Sequence, residues 1–143
     1  MFEKLKEMNA ELDQLKAKHL EISKTMFSDV SKQLFEKHSV LESFGWKQYT
    51  PYFNDGDECT FSAHVEEPDI NGYDSYDDEI YEKLLDYEGK PRSNFDPALQ
   101  SAVDDVQGFL SNIDEQVLRN MFGDHVKITV SRDGVKVADY RHD

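Results

Sequence analysis

A single cysteine, Cys59, stands in 143 residues. No disulfide and no cysteine-based zinc centre can therefore close within one chain, which fits a reducing cytoplasm. No stretch approaches the roughly 18 consecutive apolar residues of a membrane span. The charged opening Glu3, Lys4, Lys6, Glu7 lacks the apolar run of a signal peptide, so a soluble protein that stays where it is made is expected. Proline and glycine are missing from residue 3 to about residue 42. Lysine and arginine are missing from Gln48 to Glu82. No Gly-rich phosphate loop, nucleophile elbow, His-Glu-x-x-His or deaminase signature occurs, so no enzyme class is indicated.

The segment without basic residues carries eleven carboxylates interleaved with seven aromatics. Residues 1–43 hold seven basic and eight acidic side chains, and residues 44–143 hold nine and twenty-two, so the excess acidity sits in the second part. A field of that sign repels phosphate backbones and draws basic partners. Nine Phe, seven Tyr and one Trp supply enough large apolar area for a real core.

Apolar residues recur at Leu5, Met8, Leu12, Leu15, Ile22 and Met26 with 3/4 spacing interrupted by His19, which predicts a long helix over residues 3 to about 42. With Leu5, Leu12, His19 and Met26 at heptad position a, Met8, Leu15 and Ile22 fall at d, a narrow coiled-coil seam. In a parallel pair Glu11 would face Lys16 of the other strand. From Met26 the stripe widens through Phe27, Val30, Leu34, Phe35 and Leu41, as for a helix lying on a core. The organisation expected is a helix over 1–43, whose first half makes a parallel homodimer or higher homo-oligomer, followed by an acidic α+β domain over 44–143.

Asn54-Asp-Gly-Asp between Phe44 to Tyr49 and Glu58 to Val65 signals a hairpin turning at Asp55-Gly56. That turn pairs Tyr52 with Cys59, Gln48 with Ala63 and Trp46 with Val65, giving a core face of Trp46, Tyr52, Cys59, Phe61, Ala63 and Val65. Pro51 makes this an edge strand or breaks it. Residues 66–78 are rich in turn formers and read as an exposed acidic loop. Ile80, Leu84, Leu85 and Tyr87 fit a short helix closed by Gly89, and Asp96-Pro97 starts another whose stripe runs from Leu99 to Ile113 and on to Met121. A second hairpin at Asp133-Gly134 would set Val130 against Val137 and His125 opposite His142. Two hairpins forming a small antiparallel sheet, with the long helix and two or three further helices, make an α+β fold.

The five histidines do not assemble a site by spacing. Cys59 and His64 point to opposite faces of one strand. Asp69, Asn71, Asp74 and Asp78 suggest a calcium loop, yet Gly72 holds the fourth position and Ile80 the twelfth, where an EF-hand needs glycine at the sixth and glutamate at the twelfth. No metal and no cofactor are expected.

The run Gln48-Tyr-Thr-Pro-Tyr-Phe-Asn-Asp-Gly-Asp-Glu-Cys-Thr-Phe, with Trp46 before it, resembles a motif in short uncharacterised proteins of tailed bacteriophages and bacteria. The ending Gly123-Asp-His-Val-Lys-Ile-Thr-Val, with Arg132-Asp-Gly and Tyr140-x-His-Asp, looks similar to theirs as well. The resemblance carries no activity; it implies a small phage-encoded protein that acts in the host cytoplasm by binding a host component. The function expected is a non-enzymatic acidic interaction protein that binds and blocks or redirects a basic host protein of defence or nucleic-acid handling, without binding nucleic acid or membrane itself. DNA mimicry is its sharper form. Tyr49, Tyr52, Phe53, Tyr73 and Tyr76 would anchor the partner, and Asp55, Asp57, Glu66, Glu67, Asp69, Asp74, Asp77 and Asp78 would steer it. The alternative is a ligand-binding protein or enzyme with a pocket beside the hairpin 46–65, contacted by His64 or His125.

Overall fold

The computed structural model describes residues 2–52, 56 and 59–141. Its elements are α1 (Glu3–Lys37), β1 (Ser43–Tyr49), β2 (Ser62–Ile70), α2 (Asp78–Tyr81), α3 (Pro97–Ser111), α4 (Glu115–Phe122), β3 (Val126–Ser131) and β4 (Gly134–Asp139). The strands form one antiparallel sheet in the order β2-β1-β3-β4. This is the α+β fold expected. No helix among the described residues is long and apolar enough to cross a membrane.

One face of the sheet carries the core. Phe44 and Trp46 of β1, Ala63, Val65 and Ile70 of β2, and Val126, Ile128 and Val130 of β3 are buried there against Phe27, Leu34 and Phe35 of α1 and the stripe Leu99, Ala102, Val103, Val106 and Leu110 of α3. Phe27 is the hub of an aromatic cluster, with ring centroids 5.2 Å from Phe109, 5.3 Å from Phe122 and 6.0 Å from Trp46. Gln48, fully buried, is satisfied at both ends. Its Oε1 accepts from Trp46 Nε1 at 2.9 Å, and its Nε2 donates to the carbonyls of Leu118 and Gly123. Gly45 must be glycine, because a Cβ would stand 2.4 Å from the Ile128 carbonyl oxygen.

Several boundaries differ from the sequence expectation. α1 ends at Lys37 with no breaker residue, short of residue 42. His38 turns extended, buries its ring and places Nε2 2.6 Å from Asp105 Oδ2 on α3, while Arg132 donates to the carbonyls of His38 and Leu41. The helix is stopped by tertiary partners.

β1 pairs β2 through Lys47 with His64, Gln48 with Ala63 and Tyr49 with Ser62, the register expected from the sequence; Asp55 of the expected turn lies outside the described residues. The strands end at Tyr49 and Ser62, so Tyr52 is 64% exposed and does not join the core face. β1 is central in the sheet, and it breaks before Pro51. At the other end Gly45 pairs Asp69, so a bulge on β2 replaces the expected Trp46–Val65 pair. Pro68 sits in that bulge on an edge strand, where its missing N–H costs least. The bulge returns Ile70 to the core opposite Phe44, and residues 66–70 are therefore strand, where an exposed loop was expected.

α2 covers four residues only, and Tyr87 is 93% exposed, outside any helix. Asp96 caps α3 through the amides of Ala98 and Leu99, and the continuous stripe divides where Asp114 caps α4 through the Gln116 amide. In the second hairpin Arg132 and Asp133 form the turn, and Gly134 (φ +137°) pairs Ser131. Val130 thus faces Val135, and Val137 faces Ile128, with no bulge required. Ala138 falls on the open face of the sheet.

Candidate functional site

β2 is an outer strand, and Glu66 and Glu67 are exposed along it. Beyond Ile70 the chain reverses through Asn71 (φ +54°) and Gly72 (φ +85°). Asn71 fixes this corner: its Oδ1 accepts from the amides of Glu42 and Ser43, and its Nδ2 donates to the Val40 carbonyl. Asp74 then accepts from the Tyr76 amide, and Asp77 caps α2 through the Glu79 amide. Ser75 Oγ donates to Glu67 at 3.4 Å. Tyr76 also bonds Glu67 through its hydroxyl, and that bond to a carboxylate raises the phenol above its ordinary pKa.

The corner and these bonds fold the acidic segment into one strip. Glu66, Glu67, Asp74, Asp77 and Asp78 lie exposed beside Tyr73 (40% exposed) and Tyr76 (73%). Among the described residues no ion pair reaches any of these five carboxylates.

The other predicted residues lie elsewhere. Tyr49 is on the open face of the sheet, stacked on His64 with centroids 4.6 Å apart and 5.6 Å from Tyr140, whose ring also lies under Lys47. Asp69 is on the same face, opposite Gly45 and 3.9 Å from Lys127. Burial raises its pKa, and the charges of Lys127 and Lys47 counter this only in part. Tyr52, beyond the end of β1, stacks on His125 at 4.6 Å with ring planes 8° apart. His125 pairs with Tyr140, whose amide donates to its carbonyl at 2.7 Å. The His125–His142 pairing fails because the hairpin turns one residue earlier, at Arg132-Asp133, which shifts each strand partner by two; His142 itself lies outside the described residues, as do Phe53, Asp55 and Asp57.

Sequence reasoning missed what Asp124 does. Its carboxylate accepts from the Thr50 amide at 2.8 Å, the Thr50 hydroxyl at 2.7 Å and the His125 amide at 2.8 Å, with Arg119 3.4 Å away. Burial works against the charge, but the bonds from Thr50 and His125 outweigh it and hold the carboxyl below its usual pKa. Gly123-Asp124 before a strand was the visible signal; its partner 74 residues away was not. A second missed contact is Arg92, whose guanidinium lies 3.7 Å from the Tyr81 ring centroid and donates to the carbonyls of Tyr81 and Leu85, holding the chain after α2.

Beside the first hairpin lies an open cavity of about 680 Å³ lined by Thr50, Cys59, Thr60, Phe61, Asp114, Glu115, Gln116 and Arg119. Its lining is mainly polar, and neither His64 nor His125 contributes to it. Among the described residues no three His, Cys, Asp or Glu side chains are grouped so as to hold a metal.

No protein-family model matches the chain, and no curated protein or solved structure matches it.

Proposed function

We propose that this chain is a non-catalytic interaction protein of phage type. A self-associating acidic module binds a basic host protein through the strip from Glu66 to Asp78 and blocks or redirects it. The observation that carries the reading is the set of exposed carboxylates left without ion pairs among the described residues, beside two exposed tyrosines. Surface carboxylates kept for solubility need no aromatic neighbours, whereas binding surfaces combine charges that steer encounter with rings that supply residence. Asp74 and Asp77 also hold their own turns through backbone amides, so the strip is shaped in advance and loses little conformational freedom on binding. The likeness to short phage proteins supports a host target. Association of two or more chains through Leu5, Met8, Leu12, Leu15, His19, Ile22 and Met26 belongs to the same reading, because those positions are exposed along α1.

Capture from a bacterial lysate at about 0.15 M salt tests it, a strength at which exposed charges still act over ~8 Å. Wild-type protein is expected to retain a basic protein that Tyr73→Ala/Tyr76→Ala protein, equally folded by circular dichroism, does not. Equal retention by both would remove the strip as the binding surface.

A further inference from the structure

The helix α1 presents two faces. Phe27, Ser31 and Leu34 are buried on the domain, while Leu5, Met8, Leu12, Leu15, Ile22 and Met26 are 47–63% exposed. The two sets are one residue out of phase, a turn of about 100° around the helix axis. Packing on the domain therefore leaves the seam uncovered along its whole length. The buried residues of the helix, Phe27, Ser31, Leu34 and Phe35, all lie in its C-terminal third. α4 flanks only the last part of the seam, where Leu15, His19 and Ile22 border an open groove of about 530 Å³ with Val117 and Asn120.

We infer that the occupant of the seam is a second copy of this chain running antiparallel, with Leu12 on the partner's Leu15 and Leu5 on the partner's Ile22. The inference rests on the self-association included in the proposed function and fixes its orientation.

Charge decides the direction. Side chains of residues 3–13 sum to −2 (Glu3, Glu7, Glu11 and Asp13 against Lys4 and Lys6), and those of residues 14–26 to +2 (Lys16, Lys18 and Lys24 against Glu21). An antiparallel pair lays each acidic half on a basic half, whereas a parallel pair lays like on like. Among antiparallel registers, this one sets Glu11 beside the partner's Lys18 in two symmetry-related pairs along one flank of the seam. Sliding by a heptad, so that Leu12 meets the partner's Ile22, opposes Lys18 to Lys18 and Lys16 to Lys16.

The domains add to this. Residues 44–143 carry nine basic and twenty-two acidic side chains. A parallel pair would hold two such bodies at the same end, about one helix diameter (~10 Å) apart. In the antiparallel pair they attach about 40 Å apart along the axis at 1.5 Å per residue, five times the ~8 Å screening length at physiological salt. The same arrangement brings the partner's Leu5 and Met8 to the level of Ile22 and His19, where they fill the groove beside Val117.

Disulfide trapping in full-length Cys59→Ser protein tests the direction. An equimolar mixture of Leu5→Cys and Ile22→Cys chains is expected to give the mixed disulfide, with little from either variant alone. Self-linked Leu5→Cys and self-linked Ile22→Cys would show a parallel pair and overturn the inference while leaving self-association intact. A dimeric mass with no cross-link in any combination would overturn it equally. A monomeric mass for the Cys59→Ser parent would remove self-association itself. Charge reversal gives a second arm without new cysteines. Glu11→Lys should weaken the dimer on the order of tenfold, since two ion pairs become repulsive. Lys18→Glu should restore it; rescue by Lys16→Glu in its place would indicate the parallel pair.

Discussion

Phe61 and His64 stand three residues apart on the arm that leads into and forms β2, and they meet opposite environments. Phe61 is buried under the Arg119 guanidinium, and His64 is exposed on the open face against Tyr49. Phe61→Ala is expected to cost about 3–5 kcal/mol in denaturant unfolding, and His64→Ala under about 1 kcal/mol. Equal losses would contradict the alternation. Asp124 makes a different kind of contribution, by ending β1 through the Thr50 amide that would otherwise continue the ladder. Asp124→Ala should lower stability by about 1–2 kcal/mol, because the partly buried donors of Thr50 and His125 lose their acceptor. The pH dependence follows from the direction of its shift. A carboxyl whose folded pKa lies below its unfolded value stabilises the fold above the unfolded pKa of about 3.9 and loses that contribution as pH falls through the folded value. Asp105, held low by bonds from Lys37 and then His38, acts with the same sign. Thermal unfolding of the wild type should therefore lose stability on acidification below about pH 4, and Asp124→Ala should lose less over that range. An identical pH slope for both would contradict the assigned role.

Among the elements, α1 spans about 52 Å at 1.5 Å per residue, and only its last third is tied to the core. Leu12→Asp with Leu15→Asp is therefore expected to abolish self-association in light scattering at tens of micromolar, with the domain's thermal midpoint unmoved at concentrations where the wild type is monomeric. A drop of several degrees under those conditions would mean that the seam packs on its own domain. The elements also show which features the chain announces locally. The 3/4 periodicity before Lys37, the Asp96-Pro97 start of α3 and the pairing of Gln48 with Ala63 were all legible, because each depends on residues within a turn or two. The stop of α1 at His38 was not, since its cause is Asp105, 67 residues away. The end of β1 depends on Asp124 in the same way, and the β2 bulge on the need to return Ile70 to the core. In the second hairpin Gly134 attracts the turn by residue type, while the strand pairing uses its positive φ one place later. The candidate strip was legible as a composition, but the separation of Tyr49, Tyr52 and Asp69 from it came from the strand directions, which composition does not carry.

At the scale of the whole molecule, the excess of acidic charge belongs to the domain, and the ion pairs of Asp69, Asp105 and Asp124 tie carboxylates to the fold, while Glu66, Glu67, Asp74, Asp77 and Asp78 have no ion pair among the described residues. The central claim is that these open charges guide a basic partner to the tyrosines. Stopped-flow association with the captured partner, measured across salt concentration, tests it most directly. Asp74→Asn/Asp77→Asn/Asp78→Asn retains side-chain oxygens to cap the same turns, so the fold should persist. Its association rate should fall several-fold at low salt and show a flatter salt dependence, with dissociation little changed. An association rate and salt slope equal to those of the wild type would show that the acidic strip does not guide the partner, and would contradict the account.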